Sequence, residues 1–258
     1  MPTTLPKRRI ISINVSMGSY NQFVTAIIQR AATKVSSYVC VANVHMLAEA
    51  HKSRHFRKVV NSAFLVTPDG MPIAKAFRSF YKVKQERVDG MSLLPILLKE
   101  AESKGMSVFF YGGTETMLEK TQQFLKEENP FLKIAGVYSP PFRPLTEVEM
   151  NEMANRINAT EANLVFVVLG CPKQEMWMYN MKGKINATMI GIGGALPVLI
   201  GAQKRAPRWM QKNSLEWLFR LNQEPTRLFK RYLKTNVRFL YLFAKKRLVV
   251  NTTRRRMI

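Results

Sequence analysis

The chain has 258 residues and enough apolar content to bury a large core, which excludes disorder throughout and fits one sizeable α/β domain or a domain with an appendage. Its formal net charge of +23 calls for a polyanionic partner, and nucleic acid, an anionic membrane surface and a diphosphate-bearing substrate all qualify. From Gln203 to Ile258, sixteen Lys or Arg face only Glu216 and Glu224, so +14 of that charge is a property of the C-terminal tail.

The N-terminal "MPTTLPKRRIISINVSMG" has a basic start but no apolar run long enough for a signal peptide. From Tyr38 onward the chain repeats a β-branched or aromatic run, a Gly, Pro or Asn break, then helical spacing. "YVCVANVHMLAEA", "FLVTPDGMPIAKAF", "SVFFYGGTETMLEKTQQFLKE", "NLVFVVLGCPKQEMWMYN" and "ATMIGIGGALPVLIG" all follow this pattern. It predicts a Rossmann-like, mostly parallel sheet with helices on both faces. Ligands of such sheets bind beyond the C-terminal strand ends, where Asn43, Asp69, Gly112, Gly113, Gln174 and the Gly191–Gly194 segment fall. Ala187–Ala202, the longest apolar stretch, contains four glycines and Pro197 and is too short for a bilayer-spanning helix. A boundary near Ala206-Pro207 divides an α/β core, 1–205, from a basic helical appendage, 206–258. In the appendage Arg227, Lys230, Arg231, Lys234 and Arg238 share one helix face, Phe229, Tyr232, Leu233, Leu240 and Phe243 fill much of the rest, and the end from Asn251 reads as frayed.

Asp69 and Asp89 are the only aspartates, and each precedes a glycine. Asp-Gly is a common turn signal, which is the simpler account of either. Asp69, however, directly follows an apolar strand, where a carboxylate can act as a base and Gly70 lets a ligand approach the backbone. Asp89 in "QERVDGMSLL" reads as a turn or helix N-cap, and Glu86 and Arg87 beside it could equally be a surface ion pair. "FFYGGTETM" places Gly112 and Gly113 before a Thr114 cap, where a helix N-terminus could hold a phosphate, although tight strand-to-helix packing also accounts for the glycines. In "GCPKQE" Lys173 and Gln174 bring a cation and an amide to a strand-to-helix turn, and Pro172 suits the first helical turn. His51 and His55 read as one solvated helix face, not as ligands. "TEVE" starts a helix whose core face carries Met153 and Ile157. Two cysteines, Cys40 and Cys171, make neither a disulfide framework nor a zinc site, so a reducing cytoplasm is expected, with no metal or other cofactor.

The ordered set "VANVHML", "VTPDGMPIA", "QERVDG", "FYGGT", "GVYSPPFRPLT", "VLGCPKQE", "GIGG", "RAPRW" and "LEWLFRLNQEPTRLFKRY" resembles the WecG/TagA/CpsF bacterial glycosyltransferases, glycosyltransferase family 26, from about Tyr38 to Tyr232. The resemblance implies an inverting enzyme without an Asp-x-Asp metal motif. It would move N-acetylmannosamine, its uronic acid or glucose from a UDP-sugar to an undecaprenyl-diphosphate-linked saccharide, as in teichoic acid linkage units, enterobacterial common antigen or exopolysaccharide. It implies Asp69 as general base, Asn43 near sugar or acceptor, and Arg87 and Gln174 in the donor pocket, with Gly112, Gly113 and Gly193 as further substrate contacts. Arg220, Arg227, Lys230 and Arg231 match basic positions that meet the lipid diphosphate, and Arg205 and Arg208 of the "RAPRW" segment join them. The expected setting is the inner face of the cell membrane, held peripherally by the tail; self-association stays open. Ala195-Leu196-Pro197 departs from the family, which has an aspartate there, and Ala42 stands where a threonine is frequent. Two rivals remain: a nucleic-acid-binding protein using the tail, for which no motif is present, and a UDP-sugar-binding regulator without turnover.

Overall fold

The computed structural model describes residues 4–255, and the side chains of all of these except 227 and 250–255. An antiparallel hairpin, β1 (Lys7–Ile10) and β2 (Ile13–Ser16), opens the chain and leads through α1 (Tyr20–Ala32) to β3 (Ser37–Ala42). Next come α2 (Val44–Lys52), α3 (Arg54–Asn61), β4 (Leu65–Pro68), α4 (Met71–Tyr81) and α5 (Gly90–Ser103). The second half of the core holds β5 (Ser107–Gly112), α6 (Glu115–Glu128), β6 (Lys133–Tyr138), α7 (Glu147–Ala159), β7 (Leu164–Val168), α8 (Lys173–Met181), β8 (Thr188–Gly191) and α9 (Ala195–Leu199). The tail adds α10 (Arg208–Lys212), α11 (Glu216–Gln223) and α12 (Pro225–Arg255).

β3 to β8 form one parallel sheet in the order β4-β3-β8-β7-β5-β6. The central strands are buried almost throughout because both faces are covered, and the two polar side chains at the starts of β3 and β8, Ser37 and Thr188, pair with each other at 3.1 Å. Tyr38, Cys40, Phe109, Tyr111, Val165 and Val167 enter the core beneath α2, α3, α4, α7 and α8. Their sequence neighbours Val39, Val41, Val108, Phe110, Leu164 and Phe166 enter the other core, beneath α1, α5, α6 and α9. This alternation, with period two, is what makes the layered α/β architecture.

Several local expectations change. β6 is a sixth strand at one edge, half-buried and interrupted by Gly136, so its apolar signal is weak. The hairpin is tied to the sheet by Ser16 Oγ, which accepts from the Val66 N–H at 3.1 Å. His51 and His55 do not share a helix, because the chain breaks at Ser53, which caps α3. Thr146 and Glu149 form the capping box of α7, and Met153 and Ile157 are buried.

Among the described residues no strand follows β8. α12 nevertheless packs on α2 and α4, with Phe239 in the main core and Phe243 against Phe80 at a ring separation of 5.1 Å. The tail is therefore seated on the core through the stretch from Leu228 to Phe243. Its backbone stays helical to Arg255, past Asn251, and the rest of the stretch read as frayed, 256–258, lies outside the described residues. Among the described residues no helix is long and apolar enough to cross a membrane.

Candidate active site

A cleft lies beyond the C-terminal ends of β3, β4, β7 and β8, roofed by α11 and α12. Asn43 leaves β3 in an extended conformation and caps α2, its Oδ1 accepting from the Met46 N–H at 3.1 Å. Capping consumes the oxygen, and Nδ2 is left facing Asp69 Oδ2 at 3.5 Å. Asp69 follows β4 directly, and its own N–H donates to Ala42 O at 2.9 Å, tying the two strand tips together. Gly70 then starts α4 without a side-chain cap. Carboxylate and amide are thus placed by the parallel pairing of β3 with β4.

Burial pushes the Asp69 carboxyl up to about 7; Arg87 and Arg220 oppose the rise, while Asp89 and Glu216 add to it. Such a carboxyl can take a proton near neutrality and release it again. The Arg87 guanidinium bridges two chain segments: Nε donates to the Asp69 main-chain oxygen at 2.6 Å, and Nη2 to Glu216 Oε2 at 2.6 Å. Its partner is Glu216 of the tail, not the adjacent Glu86, whose carboxylate accepts from the Tyr20 N–H. Although Arg87 lines the cleft, its charge is committed before any ligand arrives. Asp89 is the N-cap of α5, as its sequence context indicates, and it also accepts from Arg205 Nη2 at 3.1 Å.

Gln174 is buried in the first turn of α8. Its Oε1 accepts from the Gly170 N–H at 3.2 Å, and its Nε2 donates to Glu175 Oε1 at 2.7 Å. The glycines at the end of β8 and just beyond it make room for this arrangement. A Cβ on Gly191 would lie 2.8 Å from Gln174 Nε2, and Gly193 adopts a φ of +41° beside Gln174 Oε1. Glu175, which the sequence reading passed over, is fully buried, and desolvation raises it to about 7. Its Oε2 has no hydrogen-bond partner among the described residues.

From the tail, Trp217, Arg220, Arg231, Tyr232 and Asn236 line the cleft. Among the described residues neither Arg220 nor Arg231 has an acidic group within ion-pair distance, and Arg231 Nε, though buried, has no hydrogen-bond partner. Both guanidiniums line the cleft: Arg220 is near enough to Asp69 to oppose the rise of its carboxyl, and Arg231 lies over the Tyr232 ring at 5.4 Å, near His45. His45 also lines the cleft; burial and then Arg231 hold its imidazole below the usual range.

The other site candidates divide. Gly112 and Gly113 sit at the tip of β5, on the far half of the sheet, and do not line the cleft. Their φ values of +103° and +83°, and a Val168 oxygen 2.7 Å from where a Gly112 Cβ would stand, make them packing glycines. Arg205 is engaged by Asp89 and Ser92, while Arg208 and Lys230 are exposed outside the cleft. The Arg227 side chain lies outside the described residues. Leu196 is in the core, and neither it nor Pro197 lines the cleft.

A family model, glycosyl transferase WecG/TagA/CpsF, matches residues 8–253. An N-acetylglucosaminyldiphosphoundecaprenol N-acetyl-beta-D-mannosaminyltransferase of Bacillus spizizenii is 32% identical over 74% of this chain and 73% of its own length. Proteins of the same description from Bacillus subtilis and Staphylococcus aureus are 31% and 28% identical over 75% and 81% of this chain, and 74% and 80% of their own lengths.

Proposed function

Because this chain belongs to the WecG/TagA/CpsF glycosyltransferase family, we propose that it transfers a sugar from a UDP-sugar to a saccharide carried on a polyprenyl diphosphate, with inversion at the anomeric carbon. N-acetylmannosamine is the first donor sugar to test, and N-acetylglucosaminyl diphosphoundecaprenol the first acceptor, since those groups appear in the names of the similar proteins. The observation that carries the reading is Asp69, a shielded carboxyl at a strand tip, near the Arg220 guanidinium in a cleft that Arg231 also lines.

Asp69 takes the proton of the acceptor hydroxyl as that oxygen forms its bond to the anomeric carbon. The bond from that carbon to the diphosphate oxygen breaks on the opposite face, and UDP leaves with the electron pair. Arg220 and Arg231 supply the positive charge that this leaving group needs, already in place and poorly screened. Asn43 Nδ2, 3.5 Å from Asp69 Oδ2, is placed to steady the carboxyl's orientation. Nothing in this scheme requires a metal ion, so turnover in a chelator is expected.

The same tail suits a lipid-anchored acceptor. Phe229, Leu233, Val237, Leu240 and Tyr241 are exposed on α12 beside the exposed Lys230 and Lys234. Apolar side chains interleaved with cations favour the surface of an anionic membrane, and we place the protein peripherally on the cytoplasmic face.

The test is UDP release from a panel of UDP-sugars with a polyprenyl-diphosphate acceptor, in EDTA. UDP release that requires both substrates, and is lost in Asp69→Asn, supports the assignment. Equal release by that variant removes Asp69 as base, and donor binding without any release favours a regulator.

A further inference from the structure

The seating of α11 deserves its own explanation, because the usual devices are missing. None of its residues is fully buried, its N-cap is Leu215 with no side-chain hydrogen bond, and Ser214 before it has a φ of +65°. Its apolar contact is within the tail, Trp217 meeting the Tyr232 ring edge-on at 5.9 Å, and Gln223 ties its last turn to Lys204, so neither fastens its first turn to the Asp69 loop. What holds its first turn is Glu216, whose Oε2 accepts from Arg87 Nη2 at 2.6 Å. Both side chains are only about one-sixth exposed, at 15% and 16%, so water screens the pair poorly. Through Nε, the same guanidinium holds the main-chain oxygen of Asp69. One turn beyond Glu216, on the same helix face, Arg220 enters the cleft beside Gly194.

Resting on the glycosyl-transfer reading above, we propose that Glu216 is a positioning residue: by engaging Arg87 it pins α11 to the Asp69 loop and sets Arg220 at the departing diphosphate. It touches no reacting atom; it aligns a cation from the tail with a base from the core. Arg205, the last residue before the tail, is bonded to Asp89 and Ser92 and holds the approach to it in the same way.

The experiment compares the full-length protein with Glu216→Ala and Glu216→Gln, by UDP-release kinetics over a pH series and by amide hydrogen exchange across α11. For Glu216→Ala, a displacement of Arg220 of about 1 Å should lower kcat by roughly 10–100-fold, with KM for the donor changed far less. The α11 amides should lose protection while the core strands keep theirs. Glu216→Gln keeps an acceptor for Arg87 Nη2 and should recover most of kcat, which a requirement for bulk negative charge would not allow. The charged groups facing Asp69 are Arg87, Asp89, Glu216 and Arg220, so neutralising Glu216 should move the acid limb of the profile to lower pH. Wild-type kcat in Glu216→Ala, or unchanged exchange in α11, overturns the proposal. If wild type releases no UDP from any donor, the glycosyl-transfer reading fails instead, and exchange at α11 still decides whether Glu216 is the pin.

Discussion

Arg220 occupies space that Gly194 leaves open: its Nη2 lies 2.6 Å from where a Cβ on that glycine would stand. Gly194 itself has an ordinary φ of −70°, so the absence of a side chain, not backbone freedom, is what the position contributes. The relationship joins the turn after β8 to the tail, and it explains why a glycine there bears on charge placement in the cleft.

Gly194→Ala should therefore fold normally, because the atom it meets is the end of a flexible side chain. Its UDP-release rate should fall by about tenfold as Arg220 is pushed aside, roughly the effect of weakening one transition-state contact. Gly191→Ala should behave differently. Its Cβ meets Gln174 Nε2 at 2.8 Å and Met178 Cε at 3.0 Å inside a packed core, so a lower melting temperature is expected. Thermal melts beside steady-state rates separate the two.

Asp69→Asn should cost roughly 10²–10⁴-fold in kcat if the carboxylate is the base. In wild type kcat/KM should rise with pH through an acid limb near 7, the value burial imposes on this group. Stability should move the other way. With its folded pKa raised above the ordinary value of 3.8, the native state holds the proton more tightly than the unfolded chain, so this group's contribution falls as pH rises from about 4 to about 7. The asparagine variant should lose that component and be more stable than wild type at pH 8, by about 1–2 kcal/mol. Denaturant unfolding at pH 5 and pH 8 checks the sign.

Glu175 holds the amide of Gln174 and is raised to about 7 in a site where Oε2 has no partner among the described residues. Glu175→Gln removes a buried charge while keeping an oxygen for Gln174 Nε2, so at pH 8 it should be as stable as wild type or more so. Glu175→Ala leaves Gln174 unpaired beside a new cavity and should destabilise by about 2–4 kcal/mol. Unfolding free energies of the two variants at pH 8 give the comparison.

Membrane docking can be read apart from catalysis. Lys230 and Lys234 are exposed on α12, so replacing both with Gln should weaken binding to vesicles containing anionic lipid by about 1 kcal/mol per charge. Leu240→Ser, on the exposed apolar face, should weaken binding to neutral and anionic vesicles alike. Co-sedimentation at two salt concentrations distinguishes the two contributions.

Much of this molecule is written locally in the chain. Each of β3, β4, β5, β7 and β8 is a mainly apolar run followed by a breaker and a helical period, and burial on both faces is the physical reason those runs do not alternate. Asn43 and Asp69 could be placed because strand ends of a parallel sheet face one crevice, and Asp89 because N-capping depends on near neighbours. β6 escaped because an edge strand carrying Lys133 and Gly136 has little apolar signal, and the β1–β2 hairpin because β1 carries Lys7, Arg8 and Arg9 in its four residues.

Strand order alone decided which tips share the cleft. β5 stands on the far side of β7 from β8, so Gly112 and Gly113 are carried away from Asp69 although their local pattern matches that of the other turns. The partner of Arg87 was equally hidden: Glu86 is adjacent in sequence, whereas Glu216 lies 129 positions away. Short-range propensities establish helices, strands and caps from a few neighbouring residues. Which distant charge meets which, and therefore which arginines stay free for a ligand, is settled only when the tail packs across the finished sheet, since Coulomb attraction and desolvation depend on separation in space and not along the chain.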